Sequence, residues 1–110
     1  MSNYNLYINL ILETIEKIEK SCKEKKQIIN NINLQDATLM RLQIIGENIK
    51  KIPLELKRKN KEFKWKKFGR LRNLISHRYE TINYELIWSF IKTNLPELKK
   101  EILRLKNEIK

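Results

Sequence analysis

Residues 84–109 read YELIWSFIKTNLPELKKEILRLKNEI, and their apolar side chains decide the fold. Apolar residues recur there at spacings of three and four, namely Tyr84, Ile87, Ile91, Leu95, Leu98, Ile102, Leu105 and Ile109. This spacing places them on one face of an α-helix. Pro96 falls inside the pattern, and a proline suits the first turn of a helix. We therefore expect a break or kink near Asn94 and a last helix from about Leu95 to Glu108.

A second seam opens the chain and predicts a first helix from about Tyr4 to Lys25. Its apolar positions are Tyr4, Ile8, Ile11, Ile15, Ile18 and Cys22. A second helix is expected from about Gln35 into the fifties, with Asn33 or Asp36 as its N-cap, because a short polar side chain accepts hydrogen bonds from the first turn. Pro53 should end or kink that helix.

Two further helices are predicted around the sequence Thr81-Ile82-Asn83. One begins near Trp65 or Phe68 and reaches His77, and the next follows with Thr81 or Asn83 as its cap. The chain of 110 residues has only two glycines and two prolines, too few for the turns of a β-sandwich or barrel. The sequence predicts one all-α domain over residues 1–110.

The formal charge of +11, from 24 basic and 13 acidic side chains, indicates an anionic partner. Nucleic acid, an acidic protein and a membrane surface all remain open, as does a merely solvated lysine-rich surface. The single cysteine, Cys22, lies on the first seam and is expected in the core, and one Cys with one His makes a structural zinc site implausible. We see no signal peptide and no apolar run of about 20 residues, and expect a soluble cytoplasmic protein.

Residues 57–70 combine basic and aromatic side chains. The basic ones are Lys57, Arg58, Lys59, Lys61, Lys64, Lys66, Lys67 and Arg70, and the rings are Phe63, Trp65 and Phe68. Cations for phosphates and rings for base stacking are typical of an RNA-binding surface. The alternative, which we favour for the rings, is that they anchor the segment to the core while the lysines stay in water and attract anions.

The only histidine lies in Arg72-Asn73-Leu74-Ile75-Ser76-His77-Arg78-Tyr79. On a helix with 100° per residue, an apolar side forms from Phe68, Leu71, Leu74 and Ile75. The opposite side collects polar groups, from Arg72, Asn73, Ser76, His77 and Tyr79. Spacing alone also fits a histidine with a purely structural hydrogen bond, so the pattern by itself is a weak signal.

This polar set suits phosphodiester cleavage without a metal. A neutral imidazole transfers protons at cellular pH, and a guanidinium matches phosphoryl oxygens. RNA supplies its own nucleophile, the 2′-hydroxyl. Cleavage needs two proton transfers, whereas one chain has a single histidine, so a symmetric dimer would bring two copies of His77 and Arg72 to one cleft.

The chain resembles the HEPN superfamily, specifically the HepT-like toxins that pair with MNT nucleotidyltransferase antitoxins. The signature R-x4-H-x-Y is matched by Arg72, His77 and Tyr79. Further matches lie at Gln35-Asp36-Ala37, Ile44-Ile45-Gly46-Glu47, Trp65 before Gly69-Arg70-Leu71-Arg72-Asn73, and Leu95-Pro96-Glu97-Leu98. The resemblance covers nearly the whole chain and no motif position departs from it.

The resemblance implies an antiparallel bundle of four to five helices, a homodimer with a composite cleft, and a ribonuclease that needs no metal or cofactor. It assigns catalysis to Arg72 and His77, with Asn73 and Ser76 in support. Tyr79 matches the tyrosine that the partner nucleotidyltransferase modifies with AMP in some family members. Two rival readings stay open: a non-catalytic HEPN module that binds RNA, nucleotide or a partner protein, and a structural helical dimer.

Overall fold

Helices make up the chain in the computed structural model, which describes residues 4–69 and 82–108. Within those ranges there are six helices and no strand: α1 (Tyr4–Ser21), α2 (Lys25–Ile29), α3 (Ile32–Lys50), α4 (Leu54–Lys59), α5 (Trp65–Gly69) and α6 (Tyr84–Glu108). The predicted all-α class is confirmed. The described helices outnumber the four to five expected, because α2 and α4 are short and separate the longer ones.

The core forms where α1 packs against α3 and α6. Each long helix buries one stripe, with Ile8, Ile11, Ile15 and Ile18 on α1, Leu42, Ile45 and Ile49 on α3, and Ile91, Leu95, Leu98 and Ile102 on α6. A fully buried aliphatic side chain contributes about 1.5–3 kcal/mol relative to an exposed one, so these stripes hold the bundle together. Cys22 is buried as predicted, with its Sγ 3.4 Å from Thr38 Oγ1.

Helices α1 and α3 run antiparallel, as two contacts between them show. At the C-terminal end of α1, Ser21 Oγ accepts a hydrogen bond at 3.1 Å from Nη1 of Arg41, which lies in the middle of α3. Near the N-terminal end of α1, Lys51 Nζ lies 5.4 Å from the centre of the Tyr7 ring, within reach of a cation–π contact. The C-terminal end of α3 therefore lies beside the N-terminal end of α1.

The first predicted helix is shorter than expected, and the next begins earlier. The side chain of Gln27 accepts hydrogen bonds from the backbone N–H groups of Lys23 and Glu24, at 2.7 and 2.8 Å, and so starts a separate short helix after α1. Neither Asn33 nor Asp36 caps α3. The cap is Asn31, whose Oδ1 accepts from the backbone N–H of Leu34 at 3.0 Å.

The two prolines behave differently. Pro53 separates α3 from α4, as predicted. Of the break or kink expected near Asn94, the break is wrong, because α6 is one helix with Pro96 inside it. Leu95 and Leu98 are buried on either side of the proline. Their packing keeps the helix continuous although the proline cannot donate a backbone hydrogen bond.

Within residues 4–69 and 82–108, every helix is too short or too polar to cross a lipid bilayer.

Candidate nucleic-acid interface

The predicted catalytic set lies outside the described residues. Arg72, Asn73, Ser76, His77 and Tyr79 all fall between residues 70 and 81. The structure describes what stands on either side of that segment, namely α5 before it and the start of α6 after it.

An aromatic cluster anchors α5 to the bundle. Trp65 and Phe68 are buried, with 8% and 1% of their surfaces exposed, and Phe63 is half-buried against them. The Phe68 ring stacks on Phe63, with centres 5.2 Å apart, and meets Phe90 of α6 edge-on at 5.6 Å. The prediction that these rings anchor the segment is confirmed, and they are not a free platform for stacking bases.

A hydrogen-bond network around Asn60 completes this anchor. Asn60 is buried, and its backbone carbonyl accepts from the indole Nε1 of Trp65 at 3.1 Å. Its side-chain Nδ2 donates to the Leu56 carbonyl at 2.8 Å, and its Oδ1 accepts from Nη2 of Arg104 on α6. One residue thus joins α4, the first residue of α5 and the C-terminal part of α6. We call this network the Asn60 clamp.

The segment is followed by a capped helix start. Asn83 Oδ1 accepts hydrogen bonds from the backbone N–H groups of Glu85 and Leu86, at 2.9 and 3.2 Å. Of the two predicted caps, Asn83 is the one seen within the described residues. Lys25 Nζ lies 2.5 Å from Glu85 Oε1, and its hydrogen bond and charge lower the pKa of that carboxyl. The start of α6 therefore contacts α2.

A groove of about 970 Å³ opens between the end of α3, α4 and the start of α5. Among its described lining residues seven are Lys or Arg, four are apolar and none is acidic. We call it the basic groove, and its lining is Ile49, Lys50, Leu54, Lys57, Arg58, Lys61, Phe63, Lys64, Trp65, Lys66 and Lys67. Concentrated cations without carboxylates are chemically suited to binding phosphates.

Lys57 is the most enclosed cation of the groove. Burial lowers the pKa of its ammonium below the ordinary value for a lysine. No carboxylate among the described residues forms an ion pair with it. A partly desolvated cation of this kind interacts more strongly with an incoming anion than a fully hydrated one.

Carboxylates near the groove collect on the other side of the α4–α5 turn. Arg104 Nη1 lies 3.0 Å from Glu108 Oε1, and its Nη2 lies 2.7 Å from Glu101 Oε2. Glu62 lines the same hollow, and together these carboxylates raise the pKa of Arg104. A mixed-charge hollow and the basic groove therefore adjoin at this turn, where Lys61 and Phe63 line both. No three His, Cys, Asp or Glu side chains converge as a metal site anywhere in the part of the chain that the structure describes.

A family model described as "Ribonuclease HepT-like" matches residues 11–105. The chain belongs to the HepT-like ribonuclease family. The matched range contains the segment 70–81, both of its flanks and the whole basic groove. No solved structure matches the chain.

Several curated proteins are related to this HepT-like chain. It is 38% identical over 106 residues to the Methanocaldococcus jannaschii protein named "Gamma-glutamylcyclotransferase and putative RNase MJ0434", covering 94% of this chain and 48% of that relative. The chain thus spans about half the length of that protein. It is 32% identical to "Putative RNase MJ1216" of the same organism, over 90% of this chain and 84% of the relative. It is 31% identical to "Probable ribonuclease HepT" of Thermococcus cleftensis, over 91% of this chain and 93% of that relative.

Sequence reasoning missed two parts of this HepT-like interface. Lys50 and Leu54 line the groove although they lie outside residues 57–70. They come together with that segment because Pro53 ends α3 and redirects the chain into α4. The sequence signal for this was the proline itself. The Asn60 clamp had no signal, because a single asparagine between lysines is indistinguishable from a solvated loop residue.

Proposed function

We propose that this HepT-like chain is a metal-independent endoribonuclease, the toxin of a type VII-like toxin–antitoxin system, acting on tRNA or mRNA. The observation that carries the proposal is the family match over residues 11–105, within which Arg72 and His77 keep the R-x4-H spacing. The relatives described above carry RNase or ribonuclease in their names, and this supports the same reaction class.

The proposed reaction is an internal transfer within RNA. The 2′-oxygen attacks the adjacent phosphorus, and the bond from phosphorus to the 5′-oxygen breaks. One proton leaves the 2′-hydroxyl and one reaches the 5′-oxygen, which gives a 2′,3′-cyclic phosphate and a 5′-hydroxyl. His77 transfers protons, Arg72 stabilises the charge on the phosphoryl oxygens, and Asn73 and Ser76 orient them.

We further propose that the site is completed by a second copy of the chain. Two proton transfers and one histidine per chain make a homodimer the simplest arrangement. Sedimentation should give twice the chain mass of 13.4 kDa. A monomer that retains full cleavage activity would contradict the composite cleft.

Control of the toxin is proposed to act through Tyr79. A partner nucleotidyltransferase of the MNT type would transfer AMP from ATP to its phenol oxygen and release pyrophosphate. The adduct adds a negative charge and bulk near Arg72 and His77 in sequence, and so repels RNA phosphate. Incubation with ATP and that antitoxin should add the mass of an adenylyl group to wild type and leave Tyr79→Phe unchanged.

Cleavage of total tRNA and mRNA in EDTA tests the nuclease. Wild type should cut, and His77→Ala and Arg72→Ala should not, at equal helicity by circular dichroism. Lys20→Ala is the matched control, since Lys20 is exposed near the end of α1 that lies away from α4. Retained cutting by His77→Ala would remove that residue from the mechanism. Products lacking a cyclic phosphate would contradict 2′-hydroxyl attack.

The second candidate function is a HEPN module that binds RNA, nucleotide or a partner protein without cleaving. The basic groove favours it, because anion binding there needs no catalytic residue. If this second function is correct, the wild type should bind RNA without giving cleavage products. In a growth-toxicity assay, Arg72→Ala should then behave as the wild type.

A further inference from the structure

The basic groove differs from an ordinary solvated lysine surface in how its charges are distributed. Its described lining includes seven cations and no carboxylate, while Glu62, Glu101 and Glu108 face Arg104 on the other side of the turn. Randomly placed surface lysines would have acidic neighbours, as Lys99 has Glu19 at 2.9 Å and Lys25 has Glu85. Among the described residues, this distribution concentrates positive charge in the groove, and an external anion would neutralise it.

The aromatic side chains that line the groove are engaged mainly with the core and with each other. Trp65 is buried and its indole N–H is already bonded to Asn60, and Phe63 is stacked on Phe68. Recognition of single strands normally combines cations with free rings. With the rings packed on one another, the cations are the main groups offered to a ligand, and cations bind phosphates whatever the base sequence.

The groove also lies next to the proposed catalytic segment along the chain. Its last lining residue, Lys67, precedes Arg72 by five residues, and Phe68 between them is held in the core. A volume of about 970 Å³ is at the upper end of the range of about 300–1,000 Å³ for pockets that enclose a whole small ligand. The groove therefore has room for a stretch of backbone and not only for one phosphate.

The geometry points to a sequence-independent binding site for the sugar–phosphate backbone of single-stranded RNA in the basic groove, with Lys57, Lys61 and Lys64 as its principal contacts. This inference rests on the proposed function for its ligand, since the ribonuclease must hold its substrate near Arg72. A single strand fits better than a duplex, because an unstacked linkage can rotate the attacking and leaving oxygens into line. An acidic protein is the rival occupant.

Fluorescence anisotropy with a 2′-O-methyl oligouridine tests the site. That probe lacks the 2′-hydroxyl and is not cut, so binding is measured on the active chain. The groove variant is Lys57→Gln/Lys61→Gln/Lys64→Gln. The matched control is Lys17→Gln/Lys20→Gln/Lys23→Gln, which makes the same charge change at the end of α1 away from α4.

Binding by the groove variant should depend less on salt. Each phosphate contact to a single strand contributes about 0.7 to the slope of log affinity against log salt, so three lost contacts should reduce the slope by about 2. At about 0.1 M salt this corresponds to a roughly 100-fold weaker affinity. The control should stay within about threefold of wild type, and oligouridine and oligocytidine should lose affinity equally.

Several results would overturn the site. They are equal losses in the groove and control variants, equal binding of a duplex, and displacement of the oligonucleotide by polyglutamate of the same charge, which would favour an acidic protein. Lys61→Gln/Lys64→Gln, compared with Lys20→Gln/Lys23→Gln, changes only exposed side chains and serves if the triple variant melts early. Groove-dependent binding without cleavage by wild type would refute the nuclease and keep the site. Cleavage that depends on His77, without groove-dependent binding, would support the nuclease and refute the site.

Discussion

Asn60→Ala is the substitution that most directly tests how α5, which precedes the proposed catalytic residues, is anchored to the bundle. It removes the donor to the Leu56 carbonyl, 2.8 Å away, and the acceptor of the Arg104 guanidinium. Loss of the bond to the partly buried Leu56 carbonyl should lower the free energy of unfolding by about 1–2 kcal/mol. For a domain of about 100 residues this corresponds to a Tm lower by about 4–16 °C. The Arg104 side chain is half exposed, so water can replace its lost hydrogen bond to Asn60. Loss of that bond should therefore lower the free energy of unfolding by a smaller amount.

Thermal and urea unfolding, followed by circular dichroism, measure the effect. Asn60→Asp keeps an acceptor for Arg104 and loses only the donor to Leu56, so it separates the two bonds. Arg104→Met keeps the aliphatic stem and the Asn60–Leu56 bond, and should melt above Asn60→Ala. In the double variant the two losses should not add, because both substitutions break the same contact.

The clamp also adjoins the basic groove, so Asn60→Ala should weaken oligonucleotide binding at temperatures where it is still folded. Lys57 and Lys61 stand on either side of Asn60 in the chain and both line the groove. A melting temperature equal to that of wild type would refute the clamp. So would full additivity in the double variant. Early melting with unchanged binding would limit the clamp to stability.

Three further predictions concern the core and the charged side chains. Phe68→Ala should lower the free energy of unfolding by about 3–5 kcal/mol in urea titrations, because the ring is buried between two others. Lys57→Met should raise the Tm in thermal scans, since it removes a cation whose pKa is lowered by burial, and should weaken RNA binding. The hydrogen bond to Glu19 raises the pKa of Lys99. This pair therefore stabilises the fold fully below pH ~10.4, the ordinary pKa of a lysine, and loses that stabilisation as the pH rises through the raised pKa of Lys99. In melting curves against pH, Glu19→Gln should remove this decrease in stability at alkaline pH.

The long helices could be predicted from sequence because apolar side chains recur over many turns. The seams of α1 and α6 identify buried side chains such as Ile8 and Leu98. The break at Pro96 was predicted wrongly because a local rule was applied without the packing on both sides of it. Loss of one backbone hydrogen bond is outweighed when Leu95 and Leu98 both stay in the core.

Short elements were harder to predict because single hydrogen bonds decide them. Asn31 and Asn33 have the same capping chemistry, and only the path of the chain after α2 selects Asn31. The interruption after α1 depends on one Gln27 side chain. Such choices differ by about 1 kcal/mol, which is within the range that tertiary contacts override.

The chemistry of residues 72–79 was readable from sequence, whereas its surroundings were not. Side-chain types and spacing suffice to propose Arg72 and His77, and they remain a prediction. The basic groove required the fold, because Lys50 of α3 and Lys57 of α4 join only after the turn at Pro53. Composition records how much charge a chain carries, and the fold determines where that charge has no counterion.

The placement of the charges, and not only their number, matters for interpreting the formal net charge of +11. Had the lysines been only a solvated surface, carboxylates would be mixed among them throughout. Instead Glu19, Glu85 and Glu101 pair with cations on α2 and α6, while the groove lining between α3 and α5 has none. Mutual repulsion among like charges disfavours such clustering in the free protein. A bound polyanion would relieve that repulsion and would give the partly buried Lys57 an anionic partner.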